Sequence, residues 1–161
     1  MKKIAIMILI VLLIACAPVE RLSECKNVAK PDDLNKVWCV IDGDTFKLAS
    51  GRSVRLIGIN APESKELGSL SASRALEDLV LGENIVLEKD VSDVDYFGRL
   101  LRYVYVNNVS VNADMVRKGW AKAAFYAPDL RDYKEISQAQ MDAIASKIGI
   151  WGTLDKEDKI S

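Results

Sequence analysis

The polar and apolar residues of this chain fall into short alternating runs in its first half and into helical spacing at intervals later. β-type runs over 37–41 and over 45–48, with Asp42-Gly43-Asp44 between, predict two strands and a turn; Ser50-Gly51 leads to a third β-type run over 54–59. These three form an antiparallel meander. After a loop containing Pro62, Leu76, Leu79 and Val80 share one face of a helix that Ser69 or Ser71 caps, that runs through Leu81 and that Gly82 stops. Strands follow over 84–89, 100–106 and 109–111. The last two flank Asn107-Asn108, residues that tolerate the positive φ of a tight hairpin. Helices are expected over 113–118, ended by Gly119, and over 130–148, ended by Gly149, with Ile136, Ala139 and Ala143 on one side of the second and Ile150-Trp151 packing back.

Strands first, one helix after the third and others at the end predict a mainly β, α+β fold: a five-stranded Greek-key barrel of the oligonucleotide/oligosaccharide-binding (OB) type with about three α-helices. That architecture commonly presents a face to single strands. No internal repeat or low-complexity segment interrupts it. The N-terminus follows a different rule. Met1-Lys2-Lys3 precedes an unbroken apolar run over 4–14 that ends at Ala15-Cys16. A basic start and a short apolar stretch make a secretory signal, and the cysteine at its end resembles a lipoprotein site, with a lipid on the Cys16 thiol; a plain cleaved signal and an uncleaved anchor are the other readings. The expected organisation is a signal over 1–15, lipidated Cys16 and a linker over 16–35, the barrel domain over 36–154 and a charged tail over 155–161. The chain is then exported and tethered to a membrane, facing the periplasm or the exterior. In an oxidising compartment Cys25 and Cys39 can form a disulfide that closes the linker onto the domain, or stand as two thiols with Cys39 buried in a strand.

Composition narrows the chemistry. The chain of 161 residues has no histidine, which excludes a Ser-His-Asp triad, a His-activated cysteine and an HExxH zinc site. Its 22 Lys+Arg against 23 Asp+Glu exclude a sequence-wide attraction to nucleic acid, and removal of Lys2 and Lys3 makes the remainder more acidic still. Any substrate attraction must be local. Three segments concentrate carboxylates and arginines: Val40-Ile41-Asp42-Gly43-Asp44-Thr45-Phe46, Val54-Arg55-Leu56-Ile57-Gly58-Ile59-Asn60-Ala61-Pro62-Glu63 and Asp95-Tyr96-Phe97-Gly98-Arg99-Leu100. Each alone reads as a turn, a solvated strand arginine or a loop acid.

Together, in this order, they resemble the staphylococcal nuclease (thermonuclease-like) family, and the resemblance extends from about residue 37 to 151 through Asn112, Gly119-Trp120-Ala121-Lys122 and Gly149-Ile150-Trp151. It implies a five-stranded barrel with three helices and calcium-dependent hydrolysis of DNA and RNA phosphodiesters, with Arg55, Glu63 and Arg99 at the catalytic positions. The chemistry suits those residue types. Two guanidiniums, Arg55 and Arg99, can clamp the equatorial oxygens of a phosphodiester under attack, and Glu63 can orient or deprotonate the water. One hard Ca²⁺ wants oxygen ligands, which Asp44, nearby Asp42, Asn60 and the Ala61 carbonyl offer.

Asn60 departs from the aspartate of the best-known members and weakens the pull on the cation, leaving a weaker or differently selective site or one that needs high calcium. Tyr96, Phe125 and Tyr126 either stack on bases or pack in the core and rim. DNA or RNA is the expected partner, with the membrane reached through the lipid and the protein itself a monomer. A non-catalytic nucleic-acid- or protein-binding barrel with a degraded metal site is the alternative.

Overall fold

The computed structural model describes Cys25 and residues 29–152. The signal segment, Cys16, most of the linker and the tail over 155–161 lie outside the described residues. In chain order the elements are β1 (Val37–Asp42), β2 (Thr45–Leu48), β3 (Ser53–Leu56), β4 (Ile59–Asn60), α1 (Ser69–Val80), β5 (Ile85–Glu88), β6 (Leu100–Val106), β7 (Val109–Ser110), α2 (Val111–Arg117), β8 (Lys122–Ala123) and α3 (Tyr133–Ala145). The main sheet runs β1-β2-β3-β6-β5 with β7 on β6, and β4 pairs with β8 in a second, two-stranded sheet. The first three strands are the expected antiparallel meander, and β3 meets β6 in parallel, with Arg55 opposite Leu101. Lys36 Nζ donates to the Glu83 carbonyl and to Asn84 Oδ1, drawing the start of β1 to the start of β5. A mixed sheet with three helices is the α+β, OB-type fold that the alternation pattern predicts.

One face of each helix closes the core. Ala72, Leu76 and Val80 of α1 and Ile136, Ala139 and Ala143 of α3 are buried, at the i, i+4 and i, i+3 spacings that put side chains on one stripe. All of these but Ala143 meet Phe46, Leu56, Ile59, Tyr103, Val104 and Met115 in a single apolar cluster. Cys25 and Cys39 are joined as a disulfide with Cα atoms 5.8 Å apart, which fastens the segment ahead of the domain to β1.

Several boundaries differ from the pattern-based expectation, among them that of the last helix, which runs over Tyr133–Ala145 between Asp132 and Ser146 instead of over 130–148. Ser69 and Ser71 do not cap α1; Gly68 is the N-cap, in the left-handed region, and no side chain caps it. The helix after β7 starts at Val111 instead of 113, because Ser110 Oγ accepts the Ala113 N–H, so Asn112 lies inside its first turn. The run over 54–59 is not one strand. Gly58 takes φ +78°, the chain turns there, and the Ile59–Asn60 pair joins Lys122–Ala123 instead of continuing along β6.

That break leaves β6 short of ladder partners, and Asn112 supplies them. Its side chain is fully buried; Oδ1 accepts the Val104 N–H at 2.9 Å, and Nδ2 donates to the carbonyls of Ile57 at 2.8 Å and Arg102 at 3.3 Å. Truncation strands the Val104 N–H and the Ile57 carbonyl in the interior. Asn112→Ala is therefore expected to lower unfolding free energy by about 3 kcal/mol, at ~1–3 kcal/mol per orphaned buried group, as read by urea denaturation.

Candidate active site

The site begins with a close approach. A Cβ on Gly43 would stand 2.6 Å from the Cβ atoms of both Ala61 and Ala72, so only glycine lets the β1–β2 turn rest on the loop after β4 and on α1. Asp42 Oδ1 accepts the Asp44 N–H at 3.0 Å and holds that turn. Asp44 is buried. Its Oδ2 accepts the Ala61 N–H at 2.8 Å, and its Oδ1 accepts the Thr45 hydroxyl at 3.0 Å and lies 3.1 Å from Arg55 Nε. Burial raises the Asp44 carboxyl to about 6; the Arg55 charge and the Ala61 N–H oppose that rise, and the neighbouring Asp42 adds to it.

Arg55 is held on every side. Beyond the ion pair with Asp44, Nη1 donates to the carbonyls of Leu56 at 2.7 Å and Ile59 at 3.0 Å, and Nη2 donates to Asn60 Oδ1 at 2.9 Å. Arg99 precedes β6 by one residue and is held more lightly. The turn before it is built by Asp95, whose Oδ1 accepts the backbone N–H groups of Phe97 and Arg99, both at 2.9 Å, while its Oδ2 takes Arg99 Nε at 2.6 Å. Among the described residues no protein acceptor meets the two terminal nitrogens of Arg99. Because β3 and β6 are neighbours, both arginines reach one cavity of about 330 Å³, lined also by Ile57, Gly58, Ile59, Asp95, Leu101, Ala124, Tyr126 and Asp129. Its polar groups are two guanidiniums with two carboxylates, and its floor is apolar. That combination suits a phosphodiester with a sugar or base against the apolar wall.

The family model for staphylococcal nuclease homologues matches residues 53–153, a span that contains Arg55, Asn60, Glu63 and Arg99. The thermonuclease of Staphylococcus hyicus is 32% identical over 125 residues, covering 72% of this chain and 74% of that protein. The thermonuclease of Staphylococcus intermedius is 32% identical over 121 residues, 70% of this chain and 72% of that one, and endonuclease YncB of Bacillus subtilis (strain 168) is 34% identical over 122 residues, 69% and 58%. The chain belongs to the staphylococcal nuclease family. Membership makes it a nuclease, an enzyme of phosphodiester bonds.

The remaining residues of this nuclease singled out from sequence are placed unevenly. Glu63 is exposed, outside the cavity lining. Its backbone is fixed by Glu66, which accepts the Glu63 N–H and donates to the Glu63 carbonyl, and its carboxylate has no protein partner among the described residues. Tyr126 borders the cavity and is 74% exposed, and Tyr96 is almost fully exposed on the turn, edge-to-face with Phe97. Phe125 is half-buried: its ring lies 4.6 Å from that of Tyr133 and packs on the core beside Gly58. Asn60, expected to face a cation, has its amide oxygen on Arg55.

Asp95 was not among the residues expected to form the site, although its spacing four residues before Arg99 and its position at a Gly-containing turn are both visible in the sequence. Three hydrogen bonds from Arg99 and Phe97 oppose the rise that burial causes, and together with the Arg99 charge they bring its carboxyl below the usual carboxylate value. Asp95→Ala is expected to lower kcat/KM about tenfold, the low end for a lost hydrogen bond to a charged group, chiefly through KM, with the urea midpoint changing little.

Whether this pocket suits a hard cation can be judged from its own electrostatics. The Asp42 charge disfavours ionisation of Asp44, and a bound dication relieves that repulsion. Among the described residues no cluster of three or more His, Cys, Asp or Glu exists, so the donor set is two carboxylates and neutral oxygens. This fits one weakly held, oxygen-coordinated ion.

Proposed function

We propose that this nuclease hydrolyses DNA or RNA with calcium, as a monomer, outside the cytoplasmic membrane to which a lipid on Cys16 anchors it. The observation that carries the catalytic reading is the shared cavity: Arg55 lines it from β3 and Arg99 from the turn that enters the neighbouring β6, next to the buried Asp44. A phosphate seated between them has its equatorial oxygens on guanidinium N–H groups, whose attraction grows as negative charge builds in the transition state. Glu63 lies on the loop that follows Ala61 with its carboxylate exposed and without a protein partner among the described residues, and it takes the proton of the attacking water. The water oxygen bonds to phosphorus, the ester P–O bond breaks, and the leaving oxygen takes a proton from solvent. Asp42, Asp44 and the Ala61 carbonyl would hold the calcium, which when bound polarises the phosphate and neutralises its charge. Tyr126 and Tyr96 border the substrate path and supply faces for unpaired bases. The basic start, the apolar run over 4–14 and Ala15-Cys16 support export and lipidation.

Both arginines carry a carboxylate partner, Asp44 or Asp95, so the field that draws substrate is short-ranged and the salt dependence of KM is shallow. The test is cleavage of single-stranded DNA and of RNA by the full chain. Hydrolysis lost in chelator and restored by calcium is the expected result; no cleavage with calcium at any concentration defeats the catalytic reading. Release of the protein from the membrane fraction by Cys16→Ser tests the anchor, and a membrane-bound variant defeats that part alone.

A further inference from the structure

The two arginines of the cavity are not equivalent, and the difference traces to Asn60. A guanidinium has five N–H donors in one plane. In Arg55, Nε faces Asp44, both Nη1 donors go to the Leu56 and Ile59 carbonyls, and one Nη2 donor goes to Asn60 Oδ1. A single N–H is left for substrate. In Arg99 Nε is engaged by Asp95 and the guanidinium lies 5.4 Å from the centre of the Phe97 ring, while no protein acceptor meets either terminal nitrogen among the described residues. Arg99 can therefore grip two phosphate oxygens at once, whereas Arg55 contributes one directed hydrogen bond and a fixed positive charge.

The backbone around Arg55 cannot hold it alone. Leu56 and Ile59 secure the Nη1 edge, and Asp44 secures Nε, but the Nη2 edge, the one that meets substrate, has Asn60 as its protein acceptor among the described residues. Asn60 is well placed for this, since its backbone is pinned by pairing with Lys122 across β4 and β8. We propose that Asn60 is a positioning residue for Arg55 and not a ligand of the cation. Its amide fixes the guanidinium plane without adding a second anion beside it. An aspartate would hold the same N–H but would also neutralise more of the charge that attracts the phosphate. This inference rests on the nuclease reading for its consequence in catalysis, but the geometric core of it concerns Arg55 and Asn60 alone.

The test compares wild type, Asn60→Ala and Asn60→Asp in the full chain. Three quantities are read: exchange and Cζ–Nη rotation of the Arg55 guanidinium by ¹⁵N NMR without metal, the Ca²⁺ dissociation constant by calorimetry without substrate, and kcat and KM on an oligonucleotide at saturating calcium. Asn60→Ala is expected to speed Arg55 rotation by about tenfold and to raise KM by about tenfold, as for one lost hydrogen bond to a charged group, with the calcium constant within about twofold. Asn60→Asp keeps the slow Arg55 signal. An Arg55 signal unchanged in Asn60→Ala overturns the proposal, and so does calcium binding about tenfold weaker in that variant, because a lost ligand then explains the result. If wild type cleaves nothing, the nuclease reading fails, and the guanidinium signal still decides the role of Asn60.

Discussion

Replacing Arg99 by alanine is expected to reduce kcat by about 10²–10³-fold, the loss typical of one preorganised donor to a developing oxyanion. The reason is the asymmetry of the pair. Arg99 is the arginine of this cavity with both terminal nitrogens open, and its Nε is locked by Asp95 at 2.6 Å, so its planar fork is aimed before substrate arrives. Arg99→Lys retains the charge but offers one ammonium in place of two parallel donors, and should recover only a small part of the rate. The side chain is about one-third exposed and its anchor is a local i,i+4 contact within a turn, so folding should be nearly unaffected. Single-turnover rates and urea midpoints measured on the same preparations check both halves. A kcat within about fivefold of wild type in Arg99→Ala would remove Arg99 from the transition state.

Glu63→Gln should cost about 10²–10⁴-fold in kcat, the range for loss of a general base, with KM nearly unchanged. Glutamine preserves the size of the side chain and the backbone contacts with Glu66, so only the capacity to accept a proton is removed. The exposed carboxylate suits that role because no protein donor among the described residues competes for it. Wild-type kcat in Glu63→Gln would show that another group, or solvent, takes the proton.

Much of the fold could be read from the alternation of the strands and the spacing of α1 and α3, because both elements bury one clear face. The break at Gly58 could not. A single glycine inside an apolar run is compatible with a continuous strand, and only the pairing of Ile59–Asn60 with Lys122–Ala123, more than sixty residues on, bends the chain there. Asn112 shows the same limit: its three hydrogen bonds reach back to Ile57, Arg102 and Val104, partners that no local pattern around it encodes. In the site, Arg55 and Arg99 could be grouped through the family resemblance of their motifs, and the pairing of β3 with β6 brings them to one cavity. The occupation of each guanidinium could not be anticipated, since it depends on carbonyl directions set by that same turn. Phe125 was ambiguous for a related reason; its partner Tyr133 belongs to a helix whose docking no local pattern encodes.

The central claim is that the cavity between β3 and β6 is the centre of phosphodiester hydrolysis, and the rate of cleavage of a defined single-stranded oligonucleotide by wild type and by Arg99→Ala, both at saturating calcium, tests it most directly. Hydrolysis by wild type that falls by about two orders of magnitude or more in the variant is the expected result. Equal rates in the two proteins, or no cleavage by wild type above a chelated control, would contradict it.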